Sequence, residues 1–167
     1  LGAEPEPVAE ALAGVTPPPG RLEVIGRRGG VTAMVDTAHN PAALRTALTA
    51  VRDRTEGRVL LVVGAGGERD RAKRAPKGEI AAELADLVVL TDDNPRRENG
   101  DAIVADILAG FTRPDAVVVE RDRRRAITRA IGEARPGDIV LIAGKGHEPY
   151  QEIDGVQHAF DDRLVAQ

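Results

Sequence analysis

RVLLVVGAGGERDRAKRAPKGEIAAELADLVVLT, residues 58–91, decides the fold. The stretch opens on one unbroken apolar run (RVLLVVG, 58–64) and closes on another (LVVLT, 87–91), with the helical pattern KGEIAAELAD (77–86) between them. A strand with no polar alternation is buried on both faces, so the unit reads as strand, helix, parallel strand. The alternation repeats toward the C-terminus: helix GDAIVADILAGF (100–111), strand DAVVVE (115–120), helix DRRRAITRAIGEA (122–134) and strand DIVLIAG (138–144). Toward the N-terminus, RLEVIG (21–26) and VTAMVD (31–36) flank RRGG and read as a paired start of the sheet. In PAALRTALTAVRDR (41–54), Leu44, Leu48 and Val51 recur at helical spacing behind Pro41, which suits a first helical position. YQEIDGVQHAF (150–160) holds Asp-Gly between short β-like runs, a hairpin signal, and FDDRLVAQ (160–167) starts a last helix capped by Asp161 or Asp162. The expected class is α/β, a Rossmann-like doubly wound and mainly parallel sheet of about six strands with a terminal β-hairpin.

Residues 1–20 have a different character. A short helical run, PVAEALAGV, leads into TPPPG, whose prolines favour a stiff extended segment. We read 1–20 as the end of a preceding domain plus a linker, 21–167 as the domain proper, and the chain as an excised C-terminal domain.

Aromatic residues are only 2% of the 167, so the core must be built from aliphatic side chains. The 23 basic residues are nearly balanced by 27 acidic ones, which argues against a nucleic-acid partner. The absence of cysteine excludes disulfides and thiolate metal sites. No apolar run approaches the roughly 18 residues of a membrane span, and no signal-peptide pattern opens the chain. A cytoplasmic protein with no membrane partner is expected.

Ligands in such sheets bind at the carboxyl ends of the strands. Four unusual loops occupy that position: DTAHNP (36–41), GAGGERDRAKRAPKG (64–78), TDDNPRREN (91–99) and GKGHEPY (144–150). In the second, residues 66–78 carry five basic residues against two acidic ones, a pattern that fits an anion cradle or a solvated loop. A dinucleotide fingerprint fits poorly, because a long charged loop stands where its helix should begin; Asp92 could pose as its ribose-binding acid. The sole Gly-Lys pair, Gly144-Lys145, is followed by Gly146 where a P-loop needs Ser or Thr. If ATP is used, another domain must therefore cradle its phosphates. Asn40 is placed to cap the helix at 41, Asp36 could accept from ribose hydroxyls, and His39 could touch a nucleotide or be structural. The three histidines lack metal-ligand spacing, so no metal site is expected. DRRRA (122–126) reads as a helix start with a solvated basic face. In DDNPR, the planar fork of Arg96 suits a carboxylate, Asn94 supplements it, and Asp93 and Glu148 can take ammonium groups. With Arg69, these residues suit a zwitterionic amino acid better than phosphate.

These loops resemble the C-terminal domain of MurE-type Mur ligases, which act in peptidoglycan assembly. The resemblance runs through GRLE (20–23), VDTAHNPAAL (35–44), GAGGERDRAKR (64–74), TDDNPR (91–96), GDIVLIAGKGHEPYQ (137–151) and FDDR (160–163). It implies an ATP-dependent amide ligase that joins meso-diaminopimelate to UDP-MurNAc-L-Ala-D-Glu through an acyl phosphate. It further implies that Arg69, Asp93, Asn94, Arg96, Gly144 and Glu148 bind the diamino acid, and that Arg21, Asp36 and, less closely, His39 face the nucleotide. ATP and Mg2+ would be bound mainly by a central domain, so no catalytic residue is expected in this one, and the fragment should fold without turning over. Thr37 stands where the family usually has tyrosine, Glu68 where it has aspartate, and APK (75–77) where it has a more apolar stretch. Two further readings are a non-catalytic amino-acid-binding module and an NAD-dependent oxidoreductase domain.

Overall fold

The computed structural model describes residues 18–167; the helical run of residues 7–15 and the start of the proline segment lie outside it. Among the described residues eight strands form: β1 (Glu23–Arg28), β2 (Val31–Asp36), β3 (Val59–Val63), β4 (Leu87–Leu90), β5 (Val118–Val119), β6 (Ile139–Ala143), β7 (Tyr150–Ile153) and β8 (Val156–Ala159). The helices are α1 (Pro41–Arg52), α2 (Arg74–Leu84), α3 (Gly100–Leu108), α4 (Arg123–Glu133) and α5 (Asp162–Val165). The main sheet runs β1-β2-β6-β3-β4-β5, parallel except for β1, and β7-β8 form a separate antiparallel pair.

The all-apolar strands are explained by their two covered faces. Leu61, Val63, Leu90 and Leu141 point to the side where Leu44 and Leu48 of α1, Ile80 of α2 and Ile107 of α3 pack. Their neighbours Leu60, Val62, Val140 and Ile142 meet Ala126, Ile127 and Ala130 of α4 on the other side. With three helices on one face and α4 and α5 on the other, the sheet is doubly wound. Polar side chains start the helices. Asn40 accepts from the Ala43 amide (2.9 Å) before α1, and Asp122 accepts from the Arg125 amide (2.9 Å) before α4. Asp161, rather than Asp162, caps α5.

Some boundaries and one burial reading differ from the expected ones. Helix α2 begins at Arg74, three residues before the expected Lys77, behind a 3-10 turn at Arg71–Lys73. Pro76 therefore lies in the first helical turn, where its missing N–H has no partner to lose. Strand β5 is reduced to two residues because Pro114–Ala116 form a 3-10 turn at the sheet edge. DRRRA is not wholly solvated: Arg123 is 1% exposed while Arg124 and Arg125 face solvent. Among the described residues no helix is long and apolar enough to cross a membrane.

Candidate functional site

The strand order reverses between β3 and β6, and a crevice at such a point is where α/β sheets bind ligands. Loops 37–40, 64–70, 91–99 and 144–149 close around it, with the start of α2, to enclose a cavity of about 520 Å³. Arg69, Asp93, Asn94, Arg96, Gly144 and Glu148 all line this cavity.

Asp93 is 6% exposed, and its carboxylate accepts no hydrogen bond from the described residues. It is held by its surroundings instead: Gln151 Nε2 donates to the Asp93 carbonyl (2.9 Å). A Cβ on Gly144, whose φ is 120°, would lie 2.5 Å from Asp93 Oδ2. Glycine at 144 thus makes room for an unpaired acid at the cavity surface, an arrangement that calls for a cation.

Asn94 and Glu148 belong to one network. Asn94 Nδ2 donates to Glu148 Oε2 (3.0 Å), and its Oδ1 accepts from Lys145 Nζ (3.0 Å) and the Glu152 amide (2.9 Å). Lys145, fully buried, also donates to Glu148 Oε2 (3.2 Å) and lies 5.4 Å from the centre of the Tyr150 ring. Protein groups thus take three of the four hydrogen-bonding positions of the Asn94 amide; it orients Glu148, and one Asn94 N–H and Glu148 Oε1 have no partner among the described residues.

Arg96 has a left-handed φ of 54°, a conformation that costs a non-glycine residue roughly 1 kcal/mol. In it the Arg96 amide donates to the Glu152 carbonyl (3.0 Å) and its carbonyl accepts from the Asp154 amide (2.7 Å), docking the β7–β8 hairpin. Its side chain donates through Nη1 to the Gly67 carbonyl (2.8 Å), with Nε 3.2 Å from Glu152 Oε2. The fork is fixed in place at the cavity wall, and Nη2 has no partner among the described residues. Arg69 stands exposed on the rim.

The basic loop is less open than its composition suggests. Arg74 binds Glu98 (2.7 Å) and Asp106 (2.9 Å), Arg71 binds Asp106 (3.1 Å), and Lys73 binds Asp70 (3.3 Å). The Arg74 hydrogen bond lowers the Glu98 pKa to about 2 against the desolvation that would raise it. Gly67 packs on the Pro95 carbonyl too closely for any side chain, and its amide donates to the Asn94 carbonyl (2.9 Å). Gly67 thus joins two loops, while Gly66 lines the cavity.

The three nucleotide-facing candidates are not gathered in the same way. His39 lines the cavity, with Nδ1 donating to the Thr37 carbonyl (3.0 Å). Asp36 is turned into the fold, its oxygens accepting from the Leu22 amide (2.8 Å) and the Ala38 amide (2.7 Å). Arg21 is exposed and outside the cavity. Asp92, the acid a dinucleotide reading needs for ribose, is held by both arms of Arg121 (2.6 and 2.9 Å).

Two buried cations beneath the site escaped the sequence reading. Lys145 is one. Arg123 is the other: it pairs with Asp162 (2.7 and 2.8 Å) and reaches the Asp92 and Ala143 carbonyls (3.3 Å each), tying the ends of β4 and β6 to α5. Burial alone would lower its pKa, but the charge and hydrogen bonds of Asp162 outweigh that and raise it. A signal was present, since position 123 is in helical phase with the core residues Ala126, Ile127 and Ala130.

Comparison with known proteins agrees with this geometry. The family described as Mur ligase, glutamate ligase domain, matches residues 20–146. The UDP-N-acetylmuramoyl-L-alanyl-D-glutamate–2,6-diaminopimelate ligase of Xanthomonas campestris pv. campestris is 53% identical over 167 residues, covering 99% of this chain and 34% of that protein. The ligase of the same name from Gloeobacter violaceus is 51% identical over the same coverage. A solved structure of a ligase of that name superposes with a TM-score of 0.84 at 38% identity, over 99% of this chain and 34% of that one. A bifunctional folylpolyglutamate synthase/dihydrofolate synthase from Yersinia pestis shares the fold, with a TM-score of 0.65 at 20% identity, over 99% of this chain and 34% of that one. The chain spans about a third of the length of the curated relatives it matches, at 34% of each. It belongs to the Mur ligase family, as a glutamate ligase domain.

Proposed function

We propose that residues 21–167 are the amino-acid-binding domain of an ATP-dependent ligase that adds meso-diaminopimelate to UDP-MurNAc-L-Ala-D-Glu, and that residues 1–20 connect it to a central domain. One observation carries the reading: a single cavity brings the unpaired acid Asp93 and the half-free acid Glu148 together with the guanidinium groups of Arg96 and Arg69. A diamino diacid has two ammonium and two carboxylate groups, and this lining offers partners to both signs. Phosphate would be repelled by the acids, and an apolar amino acid would leave one end of the cavity unsatisfied. The names of the diaminopimelate-adding relatives, at 51–53% identity, support the choice of substrate.

The described residues do not fit the nucleotide's phosphates or a divalent cation. They contain no group of three His, Asp or Glu side chains able to hold a metal, and the Pro95 carbonyl packs against Gly67 of the glycine loop. ATP and Mg2+ are assigned to the central domain, with His39 at the rim of this one. ATP, when bound there, supplies the phosphoryl group that activates the carboxylate of the dipeptide. This domain holds the attacking amine at a fixed position, and such positioning is worth several kcal/mol of barrier. The bound ammonium group first gives one proton to solvent; the amine nitrogen then bonds to the acyl carbon, the carbon–oxygen bond to phosphate breaks, and the second proton goes to the leaving phosphate. A cytoplasmic reaction fits the use of ATP as co-substrate.

The test is amide synthesis by the full-length protein with meso-diaminopimelate or L-lysine as amine donor. Lysine lacks the distal carboxylate and should be used far less well, and Arg96→Ala should lower kcat/KM for meso-diaminopimelate by roughly 2–4 kcal/mol. Equal use of the two amines, or an unchanged kcat/KM in the variant, would remove the basis for the assignment.

A further inference from the structure

The cations around the cavity are mostly engaged. Arg74 and Lys73 bind acids, Arg96 binds Glu152 and the Gly67 carbonyl, and Lys145 binds Asn94 and Glu148. Lys77 is different. It lines the cavity, is only 3% exposed, and has one hydrogen-bond partner among the described residues, the Gly64 carbonyl (2.7 Å). An ammonium group has three donors, and leaving two of them without partners in a buried place is costly. Position 77 falls in the APK segment, and among the described residues its ammonium group forms no ion pair, unlike Lys73, Arg74 and Lys145.

We infer that Lys77 contacts the ligand directly, holding one carboxylate of the diamino acid beside the ammonium group that Asp93 receives; this rests on the function proposed above. The placement is specific. Lys77 is anchored on the carbonyl of Gly64, and Gly64 packs against the Asp93 amide, where an added Cβ would come within 3.0 Å. The two side chains form no hydrogen bond with each other, so each keeps free positions at the cavity surface. An α-amino acid carries its ammonium and carboxylate on a single carbon, so their receptors must be neighbours of opposite sign with a gap between them. Asp93 and Lys77 meet that requirement, and the other end of the molecule is left to Arg96, Arg69 and Glu148.

The electrostatics agree. Burial lowers the Lys77 pKa to about 8; Asp93 opposes the shift, and Arg123 of α4 and Arg74 of α2 add to it. These are the charges that act on Lys77. A bound carboxylate would add a second negative charge beside Lys77, acting in the same direction as Asp93.

The experiment uses the full-length ligase with Lys77→Met, and with Lys77→Gln, which keeps a donor for the Gly64 carbonyl without the charge. For both, KM for meso-diaminopimelate should rise about thirtyfold while kcat changes less than about threefold. The two monoamides of diaminopimelate then report on the contact itself. In the wild-type enzyme each is a poorer substrate than the diacid. In the variants, the penalty for the monoamide lacking the Lys77-bound carboxylate should vanish. A KM within about twofold of wild type in both variants would overturn the inference, as would monoamide penalties that persist unchanged in them. Failure of the wild-type enzyme to use meso-diaminopimelate at all would instead strike the proposed function.

Discussion

Residues that carry the same charge do different work here, and burial sorts them. Arg123 and Arg124 are adjacent in sequence, but Arg123 is sealed against Asp162 while Arg124 lies over the Phe160 ring at 5.7 Å and faces solvent. A buried pair adds little net stability relative to an apolar pair, but breaking it strands a charge. Asp162→Ala should therefore cost about 3–5 kcal/mol in urea unfolding, and replacing Arg123 with Met and Asp162 with Leu together should recover most of that loss. Equal costs for the single and the double variant would show that the charges themselves contribute the stability. The residue beneath a site is thus as much a part of it as the residue that touches the ligand, because Arg123 fixes the carbonyls of Asp92 and Ala143 from which the loops depart.

At the level of elements, loops bind loops. Glu98 illustrates how: it accepts from Arg74 at the start of α2 and from the Glu68 amide (2.9 Å), joining the glycine loop to the segment before α3. Its pKa is lowered from 4.5 to about 2, so the native state binds its proton more weakly than the unfolded chain does. The stability this contributes is present above about pH 4.5 and is lost as pH falls through about 2. Glu98→Gln should therefore be less stable than wild type at neutral pH, with the gap narrowing as the solution is acidified toward about pH 3. A gap independent of pH would show that the Arg74 hydrogen bond is not the source. The β7–β8 hairpin follows the same logic. Asp154 and Gly155, at φ of 52° and 78°, form the tight turn that Asp-Gly favours, and the backbone of Arg96 ties the hairpin to the site.

At the scale of the whole molecule, insertion of β6 between β2 and β3 sets GKGHE beside both DTAHN and GAGG. The sheet then, on the proposed function, presents the amine donor to the central domain. On the proposed function, the chain by itself should fold cooperatively yet release no phosphate from ATP in the presence of meso-diaminopimelate and the UDP-dipeptide. Phosphate release at the full-length rate would contradict the division of labour between domains.

The sequence by itself determined the α/β class, the Asn40 cap, the Asp-Gly turn and the list of loops at the strand ends. Each of these depends on local periodicity or on the chemistry of a few neighbouring residues. Its boundaries failed where tertiary context overrode local signals, as at Pro76 inside α2 and in the shortened β5. Only the folded structure decided which charges were engaged. Asp36, Asp92 and Asp93 are the same side chain at the ends of strands, yet one holds backbone amides, one holds Arg121 and one faces the cavity without a partner. Such pairings link residues tens of positions apart, and the free energy of a charge depends on its neighbours and its desolvation, neither of which is written in the order of the chain.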